Sequence, residues 1–194
     1  MKIGAIIFCL ALLVTGTALA LDFSADMVSS VKGGGSFTGK IFVAKDKVRM
    51  DMAGSTTITR MDKDVAWVLM PQQRIYMEQP LDVDKVVVAA EKVPGEIERT
   101  SLGSDTIDGR PANKYKIAYT SKGERAEVFQ WVDSASGIPV KTVSMDGNWS
   151  MEYKNLSTGA QDASLFEIPA GYNKFSIPNM ADMARAMQGG TGQD

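Results

Sequence analysis

The stretch FTGKIFVAKDKVRMDMAGSTTITRMDKDVAWVLMPQQRIYME, Phe37 to Glu78, decides the fold. Val48, Met50 and Met52 alternate with Lys47, Arg49 and Asp51, so one face is apolar and the other charged. A period of two marks a strand with one buried side and one wet side. Ala53-Gly54-Ser55 is a turn, Thr56 to Met61 a β-branched run, and Asp62-Lys63-Asp64 a second turn. Val65 to Met70 is apolar on both faces and contains Trp67; Pro71-Gln72-Gln73 turns the chain into Ile75, Tyr76 and Met77. Consecutive strands with short turns make an antiparallel meander, and its apolar face requires a cover.

Outward from this stretch, strands continue on both sides. Phe23, Ala25, Met27, Ser29 and Val31 share one parity in a first strand that ends at Gly33-Gly34-Gly35. That triplet lacks the Lys-Ser/Thr of a phosphate-binding loop and reads as a hairpin loop. Strands resume near Ile97, with tight turns at Asp108-Gly109, Lys122-Gly123 and Asp146-Gly147 and a loop over Asp133 to Gly137. About ten strands at this spacing describe a sandwich or barrel. Two stretches switch to helical spacing. Asp82 to Val93 places Val86, Val87 and Ala90 on one side, and the segment after Pro178-Asn179 places Met180, Met183 and Met187 on another.

The chain has 194 residues and a formal net charge of -2, which suggests one domain and gives no sign of nucleic-acid binding. Lys2, the apolar run Ile3 to Val14 and Ala18-Leu19-Ala20 fit a signal peptide cleaved after Ala20. The expected division is therefore 1–20 signal peptide, 21–188 one domain, and 189–194 a flexible tail. Cys9, the sole cysteine, would leave with the signal, and Phe8 before it is wrong for a lipid-acceptor site. Loss of Lys2 takes the basic count from 21 to 20 against 23 acids, for a mature charge of -3. A soluble, periplasmic monomer is expected.

The chain contains no histidine, which removes Ser-His-Asp and Cys-His nucleophiles and the usual zinc sites. The acid pairs Asp62/Asp64 and Asp82/Asp84 are explained by turn and cap chemistry. No enzyme, cofactor or metal is expected. Methionine is the informative residue type: there are 12, many in strands, and methionine adapts to ligands of variable shape.

Asp62 to Pro71 (DKDVAWVLMP) resembles the "DG-x-x-x-W-x-Y-x-P" hairpin of LolA-like outer-membrane lipoprotein carriers. Gly39 to Asp51 resembles the strand pair before it, and Asp162 to Tyr172 (DASLFEIPAGY) the closing motif of that superfamily. The match lies with an uncharacterised branch. Where the carriers have arginine-proline after the strand at Val43, this chain has Ala44-Lys45-Asp46, and where they open with a helix it has a strand. The resemblance implies a mainly β fold: a strongly curved antiparallel sheet forming an unclosed half-barrel, its concave face plugged by short helices. It implies a carrier or binder of lipid acyl chains or lipidated protein. The alternative is an envelope sensor or interaction module that uses the same groove with a membrane-associated protein partner. The expected lining is Ile41, Val48, Met50, Met52, Trp67, Leu69, Met77, Phe129 and Trp131, and the expected lid is Val86, Val87, Ala90, Met180, Met183 and Met187.

Overall fold

A computed structural model describes residues 21–81, 92–121 and 123–175. The expected signal peptide, the helix over Asp82 to Val93 up to residue 91, and all six lid residues lie outside the described residues. Twelve strands are described: β1 Phe23–Val31, β2 Gly35–Ala44, β3 Lys47–Met52, β4 Ser55–Arg60, β5 Val65–Met70 and β6 Ile75–Pro80. They continue with β7 Glu96–Ile107, β8 Arg110–Ser121, β9 Glu124–Asp133, β10 Pro139–Ser144, β11 Trp149–Thr158 and β12 Asn173–Lys174. All belong to one sheet in the order β12-β6-β5-β4-β3-β2-β1-β11-β10-β9-β8-β7. Two meanders, β1 to β6 and β7 to β11, are joined where β1 pairs with β11. β12 and β7 stand at opposite ends of the order, so the half-barrel is not closed.

Local sequence explains the turns. Asp108 and Gly109 both have positive φ (50° and 74°), the hairpin turn whose twist matches the flanking strands. Bulges interrupt β1 between Ser24 and Asp26, β10 between Pro139 and Lys141, and β7 twice. Such bulges bend a strand and raise its local twist.

The sheet has one apolar and one charged face. Val48 pairs with Val43, Met50 with Ile41 and Met52 with Gly39, while Arg49 pairs with Phe42 and Asp51 with Lys40. Cross-strand partners share a face, so Val48, Met50 and Met52 lie opposite Lys47, Arg49 and Asp51, as the alternation predicts. The charged face carries cross-strand pairs of opposite sign, among them Lys40–Asp26, Lys141–Glu152 and Lys116–Glu127.

One departure concerns β3 to β6. Their charged face is roofed by the segment 162–172. Phe166, 1% exposed, packs on Ile58, Trp67 and Leu69, with Leu165, Ile168 and Tyr172 around it. Arg49 donates to the Leu165 carbonyl at 3.0 Å, and Arg60 to the Phe166 carbonyl at 3.1 Å. This is why Val65 to Met70 is apolar on both sides.

Gly39 has no room for a side chain: a Cβ there would lie 2.5 Å from the Asp51 carbonyl oxygen on β3. Gly39→Ala is therefore expected to prise β2 from β3 and cost about 1–3 kcal/mol. Chemical denaturation checks this, and a midpoint equal to that of the parent protein would refute the close packing.

Candidate ligand-binding face

The apolar face runs across the whole sheet, with a few polar side chains set among the apolar ones. Met77 pairs with Val68 on β5, and the row continues through Thr57 and Met50 to Ile41, Ala25 and Met27. Met27 faces Tyr153 and Ser29 faces Met151 on β11; Met151 pairs with Thr142, and Thr142 with Gln130. Ile117–Val128 and Tyr119–Ala126 complete the row on β8 and β9. Phe23, Ala25, Met27, Ile41, Val43, Val48 and Tyr153 are buried in one cluster, with Met50 and Met151 packed against it. Val93, Ile117, Tyr119 and Val128 form a second cluster, with Trp149 beside it.

At the end of this face nearest the β1–β2 and β3–β4 turns the apolar surface emerges into water. Val31 is 40%, Phe37 48% and Met52 37% exposed. They stand in one region, because Val31 pairs with Trp149, Phe37 with Ser29 and Met52 with Gly39. Toward β8 an open cleft mixes the apolar side chains of Tyr119, Ala126, Met145 and Trp149 with the charged Arg125, Glu127 and Asp146.

The register divides the nine expected lining residues between two faces. Ile41, Val48, Met50, Met52 and Met77 share the apolar face. Trp67 pairs with Ile58 and Leu69 with Thr56, both on the charged side, where Phe166 covers them. Trp131 pairs with Lys114 and Lys141, and Phe129 with Lys116, also on the charged side. The lysine stems shelter Trp131, with Nζ of Lys114 4.7 Å and Nζ of Lys141 5.7 Å from the ring centroid. Its indole donates to Asp105 at 2.8 Å. An aromatic residue on a wet face is stabilised here by cation–π contact and one charged acceptor. Hydrophobic type alone does not report the side of a strand; parity counted through each turn and bulge does. The face also holds residues that sequence reading passed over, namely Met27, Phe37, Trp149 and Met151; the parity of Met27 with Phe23 and Ala25 is the signal that would have found the first.

A charged pair also enters the face. Glu96 and Arg99 pair at 2.8 Å beside Gln130, with Arg99 stacked 4.9 Å from the Tyr115 centroid. Burial works against the Glu96 carboxylate, but Arg99 and the Val93 amide outweigh it and hold the pKa below the ordinary value. Burial raises the pKa of Tyr119 nearby, so that it stays neutral. The arrangement offers no nucleophile–base pair. Among the described residues no group of acids could hold a metal ion, and no helix is long and apolar enough to cross a membrane. Asp62 is engaged by Arg60, and Asp64 takes the left-handed conformation that closes its turn.

The chain belongs to the family described as "Domain of unknown function (DUF4412)", whose model matches residues 24–135. No curated protein matches the sequence. In fold the chain is similar to a chain of the Pseudomonas aeruginosa MucA/MucB complex, with a TM-score of 0.54 and 15% identity over 81% of this chain. It spans 59% of that neighbour's length. LprF from Mycobacterium bovis matches at a TM-score of 0.49 and 14% identity, over 78% of this chain and 90% of LprF. A LolA superfamily protein from Nitrosomonas europaea matches at 0.33 and 9%, over 76% and 89%.

Proposed function

We propose that this protein is an exported binder of hydrophobic ligands, holding the acyl chain of a lipid or lipidated protein on the apolar face. The observation that carries the reading is the apolar face that crosses the sheet and bears Met27, Met50, Met52, Met77 and Met151. Flexible thioethers on one rigid sheet accommodate chains of differing shape. Ile41, Val48, Met50, Met52 and Met77 remain the lining, joined by Phe37 and Trp149. Burying about 0.8 kcal/mol per methylene gives a sixteen-carbon chain roughly 12 kcal/mol gross. Ordering the chain and opening the face reduce this, so an affinity near 1 μM, about 8 kcal/mol, is expected.

A fluorescent fatty acid titrated into the protein tests the reading. Met52→Asp places a charge at a position already 37% exposed, so the fold should survive while affinity falls at least about tenfold. Phe129→Ala, on the charged face, should leave affinity within about twofold. Absence of binding by the parent protein up to about 100 μM would end the carrier reading.

A second reading has one observation in its favour: the solved structures of similar fold include MucB in complex with MucA(peri). In that reading the same face, or its rim, engages a protein partner instead of transporting lipid. Acyl chains detected by mass spectrometry in the purified protein favour the first reading. A stoichiometric protein partner recovered without lipid favours the second.

A further inference from the structure

Two of the polar side chains set into the apolar face carry hydrogen-bonding capacity that the protein itself does not use. Gln130, 2% exposed, has Tyr115 opposite it on β8 and Thr142, 6% exposed, opposite it on β10. Arg99 grips Glu96 through Nε and Nη2, each at 2.8 Å, and donates from Nη1 to the carboxamide oxygen of Gln130 at 3.3 Å. A guanidinium only donates, so this bond fixes the carboxamide: Oε1 faces Arg99 and the NH2 group faces away from it. Among the described residues nothing accepts from that NH2 group, and nothing pairs with the Thr142 hydroxyl. Yet among the same residues every side-chain nitrogen or oxygen sealed from solvent has a hydrogen-bond partner. Nε2 of Gln130 and Oγ1 of Thr142 therefore open onto space at the face, although the rest of both residues is buried.

We infer that this notch recognises the ester carbonyl of an acylated lipid, with Gln130 Nε2 and the Thr142 hydroxyl as its donors. The inference rests on the ligand-binding reading and names the chemical class of its ligand. An N–H held in an apolar surround is costly to leave without an acceptor, so an oxygen that arrives with the ligand is favoured there. The kind of oxygen follows from the neighbours. Both remaining donors are neutral, and the charge of Arg99 is engaged by Glu96, whose side chain is 14% exposed. A free carboxylate would bring a second negative charge beside Glu96 in a place that water hardly reaches. An ester carbonyl accepts the same hydrogen bonds and brings no charge. The position also suits an acyl chain. Met151 lies directly across from Thr142, and Met27 stands on the strand beyond, two residues from Ser29, which faces Met151. A chain whose carbonyl sits at Gln130 thus runs its methylenes over thioethers, which adapt to its shape.

Displacement of a bound fluorescent fatty acid tests this, with methyl palmitate, palmitate and hexadecyl methyl ether as competitors. The ether has the chain but lacks the carbonyl. Methyl palmitate should displace the probe at about fivefold lower concentration than the ether, the worth of a neutral hydrogen bond. Gln130→Glu keeps an oxygen for Arg99 and removes the donor, so it should abolish the preference of ester over ether. Thr142→Val keeps the shape of the side chain and should reduce that preference about threefold, which decides the matter if the first variant does not fold. Phe129→Ala, on the opposite face, should keep the preference of the parent. The inference is overturned if the parent does not distinguish ester from ether, or if palmitate displaces the probe better than the ester. It is also overturned if Gln130→Glu and Thr142→Val both keep the parent's preference. In each of these outcomes acyl binding itself stands. If the parent binds neither the probe nor any competitor, the ligand-binding reading fails and this inference falls with it.

Discussion

Replacing Phe166 by alanine is expected to destabilise the protein by about 3–5 kcal/mol, the range for emptying a buried aromatic site. In a domain of this size that lowers Tm by about 10 °C. The ring is 1% exposed and fills the space above Ile58, Trp67 and Leu69. The strands beneath are held to their neighbours by backbone pairing and will not collapse into the gap. The loss also undoes a clasp. The Arg60 side chain, 4% exposed, reaches the Phe166 carbonyl and pairs with Asp62 and Glu167, while its guanidinium lies 5.9 Å from the Trp67 centroid. Without the ring, residues 162–172 should become open to proteolysis, and the emission of Trp67 should shift to the red as water enters. A variant with unchanged Tm and unchanged proteolysis would show that the segment only rests on the sheet.

Asp133→Ala should cost about 3 kcal/mol. This carboxylate is 1% exposed and accepts from Arg110 Nε at 2.8 Å, from the Ser136 amide at 2.8 Å and from the Ser136 hydroxyl at 2.6 Å. It therefore holds the β9–β10 turn and secures Arg110 on β8. Arg110 keeps some contact with water, which limits the cost of leaving it unpaired. Burial opposes ionisation of Asp133, but the bonds from Arg110 and Ser136 prevail and bring its pKa down to about 2 from an ordinary 3.8. A depressed carboxyl pKa stabilises the fold above the ordinary value, and the gain is lost as the pH falls from there through 2. Stability measured from pH 5 downward should show this acid limb, and Asp133→Asn should flatten it. Asp62, also at about 2 through its hydrogen bond to Arg60, accounts for a further part. That part is smaller, because Asp62 is more exposed and water screens it. An acid limb unchanged in Asp133→Asn would place the titration elsewhere.

Much of the meander was legible because its signals are local. The alternation over Lys47 to Met52 requires only that neighbours on one strand point to opposite sides, and the turns at Ala53-Gly54, Asp108-Gly109 and Asp146-Gly147 carry their own backbone chemistry. The resemblance of Asp62 to Pro71 and Asp162 to Tyr172 to LolA-like proteins added the unclosed sheet. Half of the candidate site followed from this. Ile41, Val48, Met50, Met52 and Met77 were placed together because parity carries across short, regular turns.

By itself, the sequence determined most of the strands, the short hairpin pairings of the first meander and the apolar side of β2, β3 and β6. Tertiary structure alone decided the rest. The pairing of β1 with β11 joins segments more than a hundred residues apart, and no local pattern specifies such a partner. The assignment of Phe129 and Trp131 to the charged face depended on counting register through that join, and that of Trp67 and Leu69 on the β4 pairings and the roof of residues 162–172. Whether an aromatic side chain on that face is roofed by Phe166 or sheltered by lysine stems depends on which distant segment folds over it. Apolar character drives burial without direction; the hydrogen-bond register of the whole sheet supplies the direction.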